Sequence, residues 1–351
     1  MENELVKAPE KTVPGTTRGF VVPAVIADAG EKAGKRFIEF LTATIRNGNT
    51  RQAYARAIGD FLAWCEGHRL ALRDIDPVVV AAYIEALTKA RSAPTVKQHL
   101  AAIRMCFDWL TSGGVIDFNP ASSVRGPKHK VKQGKTPVLT AEEAKDLLAS
   151  IIPEMKKKDG EDSDSGEADA TREQDEPQPT IAQLRDRALI AVMVFSFARV
   201  SAALAMKVED YYTEGRRAWF RLHEKGGKRH KVPAHHNAEK YVDAYLDAAG
   251  IAGQKKTPLF RSLDTHRKLT DRRMDRNDAL RMIKRRAKAA GLPQDTCCHT
   301  FRATGITAYL EGGGTIEHAQ QIANHESPKT TKLYDRTNDQ IDLDEIEKIR
   351  I

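Results

Sequence analysis

The C-terminal half of the sequence holds six residues whose side chains could do chemistry together. Arginine and lysine can bind an anionic group, histidine can move a proton near neutral pH, and a tyrosine can attack once its phenol loses a proton. In chain order these residues are Arg199, Lys225, His299, Arg302, His325 and Tyr334. His299 and Arg302 are three residues apart, so in a helix they would share one face.

Taken singly, each of these residues also has a structural explanation. Arg199 lies in "VMVFSFARVSAALAM", an apolar stretch that predicts a helix, and could form a buried ion pair with Asp186 or Glu209. Lys225 could be one more solvated lysine. The H-x-x-R pattern of His299 and Arg302 is common in proteins. A lone histidine or tyrosine near a chain end, such as His325 or Tyr334, is usually a packing residue. Only the whole set in its order argues for chemistry.

The first third of the chain shows helical periodicity. Four amphipathic stretches between about residues 35 and 112 predict a compact four-helix unit. Thr50 is the expected N-cap of the second helix. Pro77 suits the first turn of the third helix, and Gly113 is placed to end the fourth.

A basic, Gly- and Pro-punctuated stretch, "VRGPKHKVKQGKTP", separates this unit from the rest. Either it lies along a DNA backbone or it is simply solvated. Beyond it, Thr140 and Glu143 form a capping box that opens a second helical region. The segment "RRAWFRLHEKGGKRHKVPA" predicts a β-hairpin with Lys225 at its tip, and the chain beyond residue 240 is expected to be mainly helical.

These patterns predict two domains joined by a linker. The expected segments are a flexible tail at 1–33, a helical domain at 34–124, the basic linker at 125–137 and an α-rich domain with a small sheet at 138–351. Residues 159–179 form an acidic insertion that is expected to be disordered; it either mimics DNA or is inert. The amphipathic end, 337–351, either folds back on its own domain or docks onto a neighbouring subunit.

The charge distribution favours a polyanionic partner. The chain carries +8, yet residues 159–176 hold nine acidic residues against one arginine, which leaves +16 on the remainder. Nucleic acid is the commonest partner of such a surface, although solubility alone would also explain it. The four cysteines have no C-x-x-C spacing, so they predict reduced core thiols rather than zinc or disulfides. No apolar run predicts a membrane span, and an intracellular, cytoplasmic protein at the nucleoid is expected.

The ordered set closely resembles the tyrosine recombinase (phage integrase) family. The matching text is "RDRALIAVMVFSFARVSAAL", "EKGGKRHKVP", "HTFRATGITAYL" and "IANHESPKTTKLYDR". The resemblance implies a mainly α fold: an N-terminal four-helix, SAM-like core-binding domain, then an α-rich catalytic domain with a small β-sheet. With so short a tail, the architecture is similar to the simple Xer-like and Cre-like recombinases.

The resemblance also implies a role for each residue. Arg199 and Arg302 would neutralise the phosphorane transition state, and His299 would accept or relay the proton of Tyr334, the nucleophile. Lys225 would protonate the leaving 5′-oxygen, and His325 would donate a hydrogen bond to a non-bridging oxygen. No metal, ATP or other cofactor is implied. One position departs from the family pattern, which has an acidic residue three positions after the first arginine; this chain has Ala202 there.

The implied function is site-specific recombination for a mobile element, through a 3′-phosphotyrosine link and a Holliday junction. The implied partners are double-stranded DNA with a specific site and three further copies of the chain, with room for an accessory protein. Three alternatives stay open: a type IB topoisomerase-like enzyme, a non-catalytic DNA-binding regulator, and a helical interaction protein with a basic face.

Overall fold

The computed structural model describes residues 22–129, 134, 136–152, 178–224, 227 and 229–335. Several predictions lie outside these residues: the first 21 residues of the tail, part of the linker, the acidic insertion up to residue 177, Lys225, and the C-terminal tail at 337–351. The chain forms two compact units that divide between residues 131 and 132. No helix in the described ranges is long and apolar enough to cross a membrane.

The first unit is helical over its described residues. Its α-helices are α1 (Ala24–Ala27), α2 (Glu31–Glu39), α3 (Gly48–Gly67), α4 (Pro77–Ala90) and α5 (Ala93–Ser112). A π-helical turn, Phe40–Thr44, follows α2, and a 3-10 turn, Leu72–Asp74, precedes α4. Their apolar faces meet in one core, which includes the fully buried Phe61 and Ile103.

Side-chain caps fix where α3 and α4 begin. Asp76 accepts a hydrogen bond of 2.8 Å from the Val79 N–H, and Pro77 occupies the first turn of α4 as predicted. The prediction that Thr50 caps α3 is wrong. The cap is Asn47, whose side chain accepts from the N–H groups of Asn49 and Thr50, so the helix begins at Gly48. That single side chain satisfies two of the N–H groups that a helix start leaves without partners.

The last part of the predicted N-terminal tail is packed. Residues 24–27 form α1, and its Val25 and Ile26 are buried in the core of the first unit. The Val25 N–H also donates to the Glu66 carboxylate at 3.3 Å. The sequence had predicted that this segment is flexible, because its flanking residues are polar. Burial of the two apolar side chains stabilises it as a helix instead.

The second unit is mainly α with two small antiparallel sheets. Its α-helices are α6 (Ala141–Ile151), α7 (Ile181–Phe195), α8 (Val200–Ala205), α9 (His236–Ala249), α10 (Arg276–Ala289), α11 (Cys298–Glu311), α12 (Ile316–Ala323) and α13 (Pro328–Lys332). Its strands are β1 (Tyr211–Glu214), β2 (Arg217–His223), β3 (Arg229–Pro233), β4 (Arg261–Leu263) and β5 (Leu269–Arg273). A 3-10 turn, Val208–Asp210, precedes β1.

The predicted hairpin is β2–β3, which pairs Phe220 with Val232 in an antiparallel ladder. β1 adds a third strand beside β2, and β4 and β5 form a separate pair. The sequence did not predict these three strands, because they are short and lack the apolar alternation that marks a half-buried strand. The described chain beyond residue 240 is mainly helical, as predicted, and the short β4–β5 pair is its one addition to that prediction.

Helix α7 is the centre of the second unit. Its residues from Ala188 to Met193 are fully buried, and it packs against α9 and α11. A helix that is apolar on all sides needs neighbours all round. α7 therefore gives α11, which carries two of the candidate residues, a rigid surface to pack on. The predicted fold class, mainly α with a small sheet, is confirmed.

Candidate active site

Helix α11 carries His299 and Arg302 on one face, as their spacing predicts. Its first turn begins at Cys298, and the Cys297 N–H donates to the Thr300 hydroxyl at 3.0 Å. Cys297 and Cys298, which were expected in the core, are half-exposed because they form this first turn. Arg302 lies one turn further on and is 1% exposed.

Main-chain carbonyls hold the Arg302 guanidinium in place. Nη2 donates to the carbonyl oxygen of Ala323, at the end of α12, at 2.6 Å. Nη1 donates to the carbonyl oxygen of Phe197, in the turn between α7 and α8. Phe197 has φ of +53°, an uncommon conformation for an aromatic residue, and such positions cluster at functional sites. Arg302 therefore joins the end of α12 to the α7–α8 turn.

Arg199 lies at the start of a helix, where the sequence had predicted the middle of one. Helix α7 ends at Phe195, the chain turns, and Arg199 is the N-cap residue of α8. Its Nη1 donates to a carboxylate oxygen of Glu224 at 2.5 Å. Neither partner weighed from the sequence is the right one: Asp186 pairs with Arg185 and with arginines of α10, and Glu209 pairs with Lys207.

His325 and Tyr334 lie on the two sides of α13. Asn324 ends α12 in the left-handed conformation, with φ of +49°, and so turns the chain out of the helix. The Nδ1 atom of His325 lies 2.9 Å from the buried Thr331 hydroxyl. The rings of His325 and Tyr334 stack with centroids 5.9 Å apart and planes 8° apart. Thr331 therefore fixes one nitrogen of the His325 ring and leaves the other for a ligand.

Tyr334 both packs and points its hydroxyl into the cluster. Its ring lies among buried apolar residues of α11 and α12, including Ile306 and Ala319. Its hydroxyl oxygen is 2.7 Å from Nε2 of His299. The Thr307 hydroxyl donates to the Tyr334 carbonyl at 3.0 Å, which ties the tyrosine backbone to α11. The structure thus brings five of the six candidate residues together, and Lys225 lies outside the described residues.

The pKa values of the two histidines keep both rings neutral at pH 7. Partial burial, assisted by Arg302 and Arg199, lowers the pKa of His299 below its usual 6.5. The same three causes, with a contribution from His299, lower the pKa of His325 to about 3. A neutral His299 can accept a proton at Nε2, and a neutral His325 has one ring N–H to donate.

The charges on Tyr334 and Arg302 also follow from burial. Burial raises the pKa of Tyr334 above its usual 10, while Arg302 and Arg199 oppose this rise. Burial and the nearby Arg199 lower the pKa of Arg302 to about 10, and Glu224 opposes this fall. At pH 7 the phenol is therefore protonated and the guanidinium charged. The site combines two fixed cations, one proton acceptor and one latent nucleophile, a set suited to an anionic transition state.

Three contributors to this geometry could not be identified from the sequence. They are the Glu224 carboxylate on Arg199, the Thr331 hydroxyl on His325 and the Thr307 hydroxyl on the Tyr334 carbonyl. Glu224 did offer a signal, since it is the one acidic residue in the basic segment "HEKGGKRHK". Among the residues that the structure describes, no group of three His, Cys, Asp or Glu side chains could hold a metal ion.

Comparison with known proteins identifies relatives along most of the chain. The model of the Phage integrase family matches residues 170–340, and that of the Phage integrase, N-terminal SAM-like domain matches residues 35–114. Together they span more than half of the chain. The tyrosine recombinase XerD of Chlorobaculum tepidum is 26% identical over 310 residues, which cover 86% of this chain and 91% of the relative.

Two solved structures share the fold. XerH site-specific recombinase, bound to palindromic difH substrate in a post-cleavage complex, has a TM-score of 0.64 at 19% identity and covers 85% of this chain and 79% of its own. A lambda integrase tetramer bound to a Holliday junction has a TM-score of 0.59 at 18% identity. The match covers 90% of this chain and 82% of the integrase chain. The predicted recombinase fold is thus confirmed. The chain belongs to the phage integrase family, the tyrosine recombinases, and its enzyme class is that of the site-specific recombinases.

Proposed function

We propose that this chain cleaves and rejoins double-stranded DNA at a specific recombination site of a mobile element, with Tyr334 as the nucleophile. The observation that supports this most directly is the 2.7 Å contact between the Tyr334 hydroxyl and a neutral His299, beside the Arg302 guanidinium. A packing tyrosine needs no such neighbours. Two arginines near a buried phenol are what an attack on a phosphodiester requires.

The proposed step conserves atoms and charge. The Tyr334 oxygen attacks phosphorus as its proton passes to Nε2 of His299, and a 3′-phosphotyrosine bond forms while the bond to the 5′-oxygen breaks. Lys225 gives its proton to that leaving oxygen. Arg199 and Arg302 donate hydrogen bonds to the non-bridging oxygens, and His325 donates one through Nε2. Because a phosphodiester replaces a phosphodiester, the reverse attack by a 5′-hydroxyl rejoins DNA without an external energy source.

The contacts of Tyr334 favour cleavage by the chain that supplies the rest of the site. His299, Arg302 and Thr307 all belong to α11 of the same chain, and all three lie against Tyr334 or its backbone. The XerH and lambda integrase structures were solved on their DNA substrates, the latter as a tetramer on a Holliday junction. By analogy, four copies of this chain would act on two sites and exchange strands through such a junction. An accessory protein would act on that assembly.

Covalent trapping tests the proposal. Because the recombination site is unknown, binding by the Tyr334→Phe variant first selects duplexes from a random-sequence library. The selected duplex is then nicked near the cleavage position so that the short product diffuses away. Wild type is expected to form a protein–DNA adduct that survives denaturant, and Tyr334→Phe to form none. Equal absence of adduct in both would leave only a DNA-binding regulator.

A supercoiled plasmid without the selected site separates the enzyme alternatives. A site-specific recombinase is expected to leave it supercoiled, whereas a type IB topoisomerase-like enzyme would relax it. A chain that bound no duplex at all at low salt would favour the interaction-protein alternative, since a clamp that neutralises several phosphates binds tightly there.

A further inference from the structure

Glu224 is a buried carboxylate in a site that otherwise gathers cations. Its side chain is 4% exposed and accepts from Nη1 of Arg199 at 2.5 Å. It follows the last residue of β2 and directly precedes Lys225 in the chain. Burying a charged carboxylate costs free energy unless a cation pairs with it. The positive charge of Arg199 therefore stabilises Glu224 in this position.

This carboxylate acts on both arginines of the site. It contacts Arg199 directly, and it opposes the loss of charge that burial and Arg199 impose on Arg302. His299, His325 and Tyr334 are neutral. The two arginines and the glutamate therefore give the described part of the cluster a net charge of +1. Without Glu224, two guanidinium groups would face each other across a poorly solvated site.

Arg199 has fewer constraints than Arg302. Its side chain is 37% exposed, and it stands at the N-cap of a six-residue helix. Arg302 is held by two main-chain carbonyls, whereas the hydrogen bond of Arg199 goes to Glu224. This bond uses one of the five guanidinium N–H donors and leaves others for a phosphate. Position 202, one turn into α8, offers no second carboxylate because it is a buried alanine.

We propose that Glu224 is a positioning residue of the active site, whose carboxylate holds Arg199 beside Arg302 and replaces the acid that position 202 lacks. This inference rests on the proposed function, because it concerns the same cleavage step. Removing the negative charge while keeping the shape, as in Glu224→Gln, frees Arg199 to turn towards solvent. Cleavage should then slow, while the added positive charge leaves DNA affinity unchanged or slightly higher.

The test measures the single-turnover rate of adduct formation on the nicked, selected duplex at saturating protein. Glu224→Gln is expected to lower this rate by about 10- to 100-fold, the equivalent of one charge-assisted hydrogen bond. Its dissociation constant for the intact duplex should be at or slightly below the wild-type value, and the variant should remain folded at the assay temperature. Glu224→Asp, which keeps the charge on a shorter stem, should fall between the two.

Glu214→Gln is the matched control. Glu214 lies on β1 of the same sheet, is 60% exposed and pairs with Lys231 at 3.7 Å. This variant makes the same chemical change at an exposed ion pair away from the cluster, so it should cleave at the wild-type rate. A Glu224→Gln variant that cleaves like wild type, or that loses cleavage only in proportion to DNA affinity or melting temperature, overturns the inference.

A second variant tests the replacement itself. Adding Ala202→Glu to Glu224→Gln places a carboxylate one helical turn after Arg199. Recovery of cleavage in this double variant supports the inference, and a folded double variant without recovery contradicts it. Failure of the proposed function is a separate result, because then wild type itself forms no adduct.

Discussion

The Nε2 atom of His299 lies 2.7 Å from the hydroxyl oxygen of Tyr334; His299 belongs to helix α11, and Thr307 of the same helix donates to the Tyr334 carbonyl. The histidine is neutral because burial and two neighbouring arginines lower its pKa, while burial raises the pKa of the phenol. A base is thus placed beside an acid that does not ionise by itself near neutral pH.

This pair predicts the pH dependence of cleavage. Because the pKa of His299 is below 6.5, the histidine is neutral above that pH and becomes protonated only as the pH falls further. The single-turnover rate should therefore be level between pH 7 and 8 and decline in more acidic buffer, while DNA binding does not decline. His299→Ala should lower the rate by about 100-fold or more and remove this acid limb. An unchanged rate in His299→Ala would exclude the histidine as proton acceptor.

Thr331 should matter through His325. Thr331→Val removes the hydroxyl that lies 2.9 Å from Nδ1 of His325 and keeps the shape of a fully buried side chain. Loss of one hydrogen bond that orients the ring should slow cleavage by about tenfold. Thr331→Ser, which keeps the hydroxyl, should retain most of the rate. If Val and Ser variants cleave alike, the hydroxyl does not orient His325.

Gly305 sets the approach of α11 to the end of α7. A Cβ atom at Gly305 would collide with the Val194 carbonyl oxygen and lie 2.8 Å from the Phe197 ring. Gly305→Ala should therefore lower the free energy of unfolding by about 1–3 kcal/mol and displace Arg302 from the Phe197 carbonyl. Thermal melting and the cleavage rate should fall together.

Gly59, in α3, is the control for this substitution. A Cβ atom there would meet nothing within 4 Å. Alanine is the better helix former, so Gly59→Ala should raise stability by up to about 1 kcal/mol. A Gly305→Ala variant that is as stable as Gly59→Ala would show that α11 and α7 have room to separate.

The role of Lys225 can be tested through the leaving group. Lys225→Ala should cleave an ordinary phosphodiester poorly, because the 5′-oxygen departs without a proton. A duplex with sulfur in place of that bridging oxygen needs no acid, since a thiol has a much lower pKa than an alcohol. Lys225→Ala should therefore cleave the sulfur-containing duplex at close to the wild-type rate. Arg302→Ala is the control, and it should be slow on both substrates.

The order of six residues in the sequence was enough to predict the family, because each falls in a characteristic local context: Arg199, Lys225, His299, Arg302, His325 and Tyr334. The helices were predictable for a similar reason, since their apolar stripes and caps are local. What held each side chain was not predictable. Glu224 reaches Arg199 from 25 residues away, and the partners of Arg302 are main-chain carbonyls that any residue could supply.

The break between α7 and α8 shows the same limit. The stretch around Arg199 is apolar and reads as one helix, yet α7 ends at Phe195 and Phe197 adopts a left-handed conformation. Contacts with α11, where Gly305 allows a close approach, favour this break over a continuous helix. Tertiary packing of this kind overrides local propensity and leaves no periodic trace in the sequence.

Because Arg302 is held by main-chain carbonyls, its position does not depend on the identity of the neighbouring side chains. A guanidinium bound by side chains loses its position when either partner mutates. The carbonyls of Phe197 and Ala323 persist whatever side chains those positions carry, provided that the backbone keeps its path. Arg302, the more buried of the two arginines, therefore keeps its position when the side chains around it change, whereas Arg199 loses the carboxylate that it contacts if Glu224 is replaced.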